Sequence, residues 1–255
     1  MEKRPEALLL KFPGTNCDVE TARALDTTGF RVRTIPFKGI SEEAILQCRL
    51  LVLPGGFSYG DYIMAGRLAQ LKLEQALGDA LNRFRDQGGY ILGICNGFQI
   101  LVKLGLLPSG SLIAHADGRF RCQWVKLRNH RPDHPFLRAL PEVVEFPIAC
   151  AEGRFVAAPG DAEAYLDKGL VTLTYEDNVN GSSAAIAGLQ DESGRVFGMM
   201  PHPERFLTRA HHVDPDWAGD PDRGWGYYFF RSMYEELNPA TEPEKSTESS
   251  QAMTL

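Results

Sequence analysis

The sequence predicts an α/β fold: a mostly parallel central sheet flanked by helices, with a small antiparallel extension in its second half. Three observations carry this. Short apolar runs alternate with stretches of helical periodicity through the first half. Gly-, Pro- and Asn-rich turns separate the two kinds of segment. Beyond Phe120 the pattern changes to closely spaced strands joined by turn signals.

Ala7-Leu8-Leu9-Leu10-Lys11-Phe12 reads as a buried strand, and Pro13-Gly14-Thr15-Asn16 as a turn with Asn16 capping a helix. That helix carries Val19, Ala22 and Leu25 on one face and stops near Gly29. Residues 31–37 form the second strand, and Ser41 caps a short helix through Leu46. Leu50-Leu51-Val52-Leu53 is the third strand, ended by Pro54-Gly55-Gly56. A long helix comes next, with Leu73, Leu77, Leu81 and Phe84 at helical spacing, closed by Gly88-Gly89. A strand then runs to Ile94, and a helix starts at Cys95 with Phe98, Leu101 and Val102 in its period.

In the second half, strands are expected at 120–127, 143–148, 170–175, 184–189 and 196–200, with turns at Asn180-Gly181 and Glu192-Ser193-Gly194. Residues 225–237 read as a final helix. The expected organisation is one domain over 1–237 and a disordered tail, rich in Glu, Ser, Thr and Pro, over 238–255.

Composition narrows the function classes. A net charge of -6 argues against nucleic acid as the main partner. No apolar run is long enough to span a bilayer, and the first residues lack an apolar signal segment. The five cysteines are scattered and form no C-x-x-C pair, so neither a disulfide framework nor a zinc site is expected. A reducing cytoplasmic setting fits this usage. No G-x-x-x-x-G-K-[ST] or G-x-G-x-x-G pattern occurs, so no nucleotide site is expected on this chain.

The chemistry concentrates at Gly93-Ile94-Cys95-Asn96-Gly97, where an apolar strand turns into a helix around a cysteine. Such a junction is a nucleophile elbow with sulfur in place of a hydroxyl. A free cysteine is often an inert core residue. Here the flanking glycines and the strand-to-helix switch favour catalysis, and a helix N-terminus favours thiolate by lowering a pKa of about 8.5 to about 3.5–7.5. Gly198-Met199-Met200-Pro201-His202-Pro203-Glu204 supplies the base. Pro203 pushes His202 toward an extended backbone, where residues two apart share a side. Glu204 then accepts the ring N–H of His202. Oxyanion donors are expected from the N–H of Asn96 and from Gly56, and substrate contacts from Gly55 and Gln99.

Other residues are expected to be structural or solvated. His211-His212 with Asp214 resembles a metal cluster, but adjacent histidines rarely converge, so a surface loop is expected and no metal. His115, His130 and His134 lie in polar, Pro-rich surroundings and read as solvated. Cys17, Cys48, Cys122 and Cys150 read as structural, although Cys17 comes after a turn that could bring it near the site.

Together, Gly93-x-Cys95-x-Gly97-x-Gln99, Pro54-Gly55-Gly56 and Pro201-His202-Pro203-Glu204 resemble the class I glutamine amidotransferases, whose fold is flavodoxin-like. Phe12-Pro13-Gly14-Thr15-Asn16-Cys17-Asp18, Gly55-Gly56-Phe57-Ser58-Tyr59-Gly60-Asp61-Tyr62 and Met199 to Arg205 are similar to the glutaminase subunits of phosphoribosylformylglycinamidine synthase, over nearly everything from Ala7 to Leu237. Two departures stand out. Cys150-Ala151 replaces His-Gly in an Ile-Ala-His-Gly-Glu-Gly pattern, and Ile63-Met64 replaces Leu-Arg before Ala65-Gly66.

The resemblance implies L-glutamine as substrate, a glutamyl thioester on Cys95, and ammonia channelled to a larger synthetase subunit. That subunit uses ATP and magnesium to convert formylglycinamide ribonucleotide to the amidine in purine biosynthesis, and a small third subunit often bridges the two. No cofactor is implied on this chain. Three rival readings remain open at this point. They are an amidotransferase for another acceptor, a stand-alone cysteine hydrolase such as a gamma-glutamyl hydrolase or peptidase, and a non-catalytic module with a redox-sensitive Cys95.

Overall fold

The computed structural model of the chain describes residues 4–61 and 64–239. Tyr62 and Ile63 of the motifs named under Sequence analysis, and all but the first two residues of the expected tail, lie outside the described residues. Nine strands form one sheet. In chain order they are β1 (Glu6–Lys11), β2 (Arg31–Pro36), β3 (Leu50–Leu53), β4 (Tyr90–Ile94), β6 (Arg121–Asn129), β7 (Val143–Cys150), β9 (Val171–Tyr175), β10 (Ile186–Gln190) and β11 (Val196–Met199). Strands β5 (Ser111–Ile113) and β8 (Arg154–Val156) pair antiparallel as a separate small sheet.

The sheet order is β2-β1-β3-β4-β11-β10-β9-β6-β7. The first five strands are parallel, and every later pairing is antiparallel. The parallel strands are covered on both faces. This is why β3 and β4 are unbroken apolar runs with every residue buried. Strand β2 lies at the edge, and its arginines Arg31 and Arg33 protect it from further pairing. At the other edge β7 alternates buried and half-buried positions, as a strand with one covered face should.

Six helices are described: α1 (Asp18–Thr28), α2 (Glu42–Gln47), α3 (Arg67–Asp86), α4 (Asn96–Lys103), α5 (Asp161–Asp167) and α6 (Trp225–Leu237). The chain moves one way along the sheet from β1 to β2 and the other way from β2 to β3 and from β3 to β4. Right-handed crossovers therefore put α1 on one face and α2 and α3 on the other. The packing agrees: α1 lies against α6, and α3 against α2 and α4. Between β1 and β3 the direction of winding reverses. The crevice beyond their C-terminal ends is where such sheets take ligands.

Most expected elements are present, and Ser41 caps α2 by accepting from the N–H of Ala44 at 3.2 Å. The α1 face is a correction. Val19 is 66% exposed, and the buried stripe is Asp18, Thr21, Ala24, Leu25 and Thr28. The two threonines bury there because their hydroxyls donate back to the carbonyls of Cys17 (2.6 Å) and Ala24 (3.0 Å). Asn16 is not the cap either: Cys17 occupies that position without a side-chain bond to the helix.

Candidate active site

Strand β4 lies between β3 and β11, so three parallel strands end side by side. The segments leaving these three ends make the site: Pro54-Gly55-Gly56 after β3, Cys95 after β4, and His202 with Glu204 after β11. Cys95 has φ 52° and ψ -106°. A non-glycine residue there stores about 1–3 kcal/mol of strain, which the surroundings must hold. They do so with the Cys95 N–H donating to Met199 O (2.8 Å) and the Cys95 carbonyl accepting from Gln99 N–H (3.1 Å). The helix starts so close to β3 that a Cβ on Gly97 would stand 1.9 Å from Leu53 O. Glycine at that position is a condition of the sharp bend.

His202 Nδ1 donates to Glu204 Oε1 at 2.7 Å, with both side chains almost fully buried. The pairing agrees with the sequence expectation, but the backbone path differs. Residues Pro203–Arg205 form a 3-10 turn rather than an extended segment, and His202 N–H is anchored on Pro147 O of β7 at 2.9 Å. The turn brings Glu204 under the ring. Gly55 packs against Cys95 and His202: a Cβ there would be 2.9 Å from His202 Cε1, 3.1 Å from Cys17 Sγ and 3.4 Å from Cys95 Cβ. The imidazole, the Cys17 thiol and the Cys95 side chain therefore crowd around this glycine. His202 Nε2 is buried and has no hydrogen-bond partner of good geometry among the described residues. It is nonetheless close enough to the Cys95 sulfur for each group to affect the other's proton affinity.

The electrostatics correct one expectation. Burial pushes the Cys95 thiol above its ordinary value of 9.0, and the neighbouring His202 opposes this only in part. Burial also acts to lower His202, but the Glu204 carboxylate and the Cys95 sulfur outweigh it and push the ring up to about 10. His202 is thus held as the cation that a thiolate requires, and the two groups exchange protons as a coupled pair.

A pocket of about 180 Å³ opens over the sulfur. Its lining includes Gly56, Cys95, Gln99 and His202, together with Cys17, Asp61, Cys150, Glu152 and Arg205. Asn96 is the first residue of α4, so its N–H has no acceptor within the helix. Its side chain accepts from Ser58 N–H (3.3 Å) and donates to Gln99 Oε1 (2.9 Å) and to Asp61 Oδ1 (3.3 Å). Gln99 Nε2 in turn donates to the Glu152 carbonyl. The Gln99 amide is therefore largely committed to the wall, with one N–H remaining to face a ligand.

Cys17, read as structural, stands beside His202 and Glu204. Its Sγ takes a contact from Arg205 Nη2 at 3.2 Å, and burial, reinforced by the Glu204 charge, pushes its thiol up to about 12. The donor atoms of Cys17, His202 and Glu204 lie within 4.8 Å of one another, but a protonated thiol beside a guanidinium is a poor cation ligand. Cys150 lies in the pocket wall with Sγ 3.5 Å from His115 Nε2.

His115 and His134 are buried, not solvated. His134 Nε2 meets Gly194 O (3.1 Å) and Nδ1 accepts from Phe136 N–H (3.2 Å). Burial lowers its pKa to about 4. His130 is exposed, as expected. His211 and His212 do not converge with Asp214 on a common point: His211 Nδ1 accepts from Leu207 N–H, while the His212 side chain is buried against Trp124 and bonds Glu145 (2.9 Å). Among the described residues, no helix is long and apolar enough to cross a membrane.

Comparison with known proteins is consistent with this geometry. Residues 4–235 match the model of the CobB/CobQ-like glutamine amidotransferase domain. The chain is 42% identical over 238 residues to phosphoribosylformylglycinamidine synthase subunit PurQ of Thermus thermophilus, covering 90% of this chain and 97% of that one. It is 39% identical to the PurQ subunit of Thermotoga maritima, covering 80% and 89%. The solved structure of PurLQS from Thermotoga maritima superposes with a TM-score of 0.77 at 34% identity, over 92% of this chain and all of that one. The chain belongs to the CobB/CobQ-like glutamine amidotransferase family, among its PurQ-type members.

Proposed function

We propose that this chain is the glutaminase subunit of a phosphoribosylformylglycinamidine synthase, releasing ammonia from glutamine for a larger synthetase subunit. One observation carries the chemistry: Cys95, His202 and Glu204 meet at the ends of two adjacent parallel strands, in a chain 42% identical to a PurQ subunit. In this reading the coupled pair holds one proton, and with that proton on His202 the Cys95 thiolate attacks the carboxamide carbon of glutamine. The C–S bond forms, and the oxygen takes the negative charge under the N–H groups of Asn96 and Gly56. The imidazolium of His202 gives its proton to the nitrogen, the C–N bond breaks, and ammonia leaves. Neutral His202 then takes a proton from water, whose oxygen attacks the thioester. The C–S bond breaks, glutamate departs, and the sulfur is left as thiolate beside the reprotonated His202.

Ammonia must reach its acceptor unprotonated, which calls for a partner that receives it directly. The PurLQS assembly of the relative supports a synthetase partner and a third subunit. In this reading ATP and magnesium serve the partner's chemistry, and this chain carries no cofactor. A thiol nucleophile among five unbridged cysteines suits a reducing cytoplasm.

The test is reconstitution with the synthetase. Cys95→Ala abolishes glutamine-dependent synthesis while ammonia-dependent synthesis by the partner persists. Persistence of glutamine-dependent synthesis would remove Cys95 from the mechanism. A glutaminase rate equal with and without partner would favour the stand-alone hydrolase.

A further inference from the structure

Cys95, His202 and Glu204 account for the reacting end of glutamine and leave three charged residues of the pocket unused: Asp61, Glu152 and Arg205. Arg205 closes the motif Pro201-His202-Pro203-Glu204-Arg205, and Glu152 lies in the segment that carries Cys150. If the carboxamide sits over Cys95, the α-carbon stands further out in the same pocket, carrying an ammonium and a carboxylate. A zwitterion leaving water needs opposite charges placed for both ends.

Besides His202, Arg205 is the one basic residue among the described residues that line the pocket. Its Nε donates to Glu20 Oε1 (2.8 Å) and its Nη2 meets Cys17 Sγ (3.2 Å), which fixes the plane of the fork. Nη1 has no hydrogen-bond partner among the described residues, and the group is only partly exposed. It is held beside the triad by the turn that carries Glu204.

Two carboxyls line the pocket, Asp61 and Glu152. Asp61 is already committed: its Oδ1 accepts from Gly66 N–H (3.0 Å) and Asn96 Nδ2 (3.3 Å), and burial raises its pKa. Glu152 accepts from Ala65 N–H through Oε2 (3.1 Å), while Oε1 has no partner among the described residues. Its backbone is fixed by the bond from Gln99. One fork nitrogen and one carboxylate oxygen thus remain open on rigid supports in a pocket of about 180 Å³.

We propose that Arg205 binds the α-carboxylate of glutamine and Glu152 its α-ammonium group, so that the pair selects the free amino acid over other primary amides. This rests on the glutaminase reading given under Proposed function. It also gives a physical reason for rejecting glutamine within a peptide, where neither charge exists.

The experiment compares three substrates: L-glutamine, 4-carbamoylbutanoate, which lacks the ammonium group, and L-glutamine α-amide, which lacks the carboxylate. In Glu152→Gln, kcat/KM for L-glutamine falls about 10- to 100-fold, carried by KM, while the value for 4-carbamoylbutanoate moves less than about twofold. In Arg205→Ala, L-glutamine and 4-carbamoylbutanoate both lose, and the α-amide does not. Equal losses on all three substrates, or none, overturn the assignment. Should the truncated substrates react too slowly, alkylation of Cys95 decides: both variants slow labelling by a diazoketone analogue of glutamine but not by iodoacetamide. Equal slowing by both reagents overturns the proposal as well. A wild-type chain whose Cys95 the diazoketone never labels contradicts the glutaminase reading instead, which separates the two failures.

Discussion

Gly55→Ala tests the site by adding one methyl group. The new Cβ would lie 2.9 Å from His202 Cε1 and 3.1 Å from Cys17 Sγ. Carbon atoms in good contact stand about 3.5–4.0 Å apart, so the imidazole must retreat by about 0.6 Å or more. It is not free to do so, because Glu204 holds its Nδ1 and Pro147 holds its backbone N–H. Overpacking of this kind costs about 1–3 kcal/mol. For a chain of this size that is a fall in Tm of about 2–4 °C per kcal/mol, which leaves the protein folded at room temperature. Catalysis suffers more. Misplacing a reacting group by about 1 Å can cost about 100-fold, so kcat should drop about 10- to 100-fold.

Glutamate release, read with a coupled dehydrogenase, measures the rate, and circular dichroism measures the melt. Gly78→Ala on α3 is the control, since its nearest contact is Glu74 Cγ at 3.7 Å. It should leave turnover intact and raise stability by up to about 1 kcal/mol. Full kcat in Gly55→Ala with an unchanged Tm would refute the placement of His202 against Gly55 and Cys95.

Glu204→Gln removes the charge that most strongly holds His202 up at about 10. Its pKa therefore falls, and the alkaline limb of the rate profile, where the imidazolium proton is lost, moves to lower pH. Turnover drops about 10²- to 10⁴-fold, and a limb that stays in place counts against the ion pair. Cys17, with its thiol at about 12, is protonated at neutral pH, so Cys17→Ala should keep turnover within about threefold, the effect of a changed wall rather than a lost nucleophile. A thousandfold loss would reassign it. His134 is lowered to about 4 against an ordinary 6.5. Between those values the unfolded chain binds more protons, so stability falls as pH drops from about 6.5 toward 4, with a slope of up to about 1.4 kcal/mol per pH unit for one group. Tm measured against pH should decline less steeply in His134→Asn; parallel curves would remove His134 as the cause.

The sequence was most readable where one physical signal dominated. Unbroken apolar runs marked β3 and β4, and the glycine-flanked cysteine marked the elbow. The capping serine marked α2, and the period of Leu73, Leu77, Leu81 and Phe84 marked α3. It was least readable where polar groups are buried with partners distant in sequence. The inner face of α1 is partly threonine, so hydrophobic periodicity chose Val19 wrongly. His115 and His134 sit among polar neighbours in sequence yet pack against Cys150 and Phe197 in space. β5, β8 and α5 are too short to show a period.

The roles left unread in the site share one cause. Alternation of strands and helices tells that strand ends carry function, but not which ends adjoin. Only the order β1-β3-β4-β11 puts Cys17 against Gly55 and His202, and only the return of β7 brings Glu152 over Gln99. A cysteine after a turn and an arginine after a glutamate carry no local mark of that meeting.

The proposed reaction opens glutamine with the sulfur of Cys95. Acid quench during steady-state turnover, followed by peptide mass spectrometry, reads it directly. A glutamyl adduct on the peptide containing Cys95, lost on treatment with hydroxylamine and absent from Cys95→Ala, is the expected result. An adduct on Cys17 or Cys150 instead, or sustained glutamate release by Cys95→Ala, would contradict it.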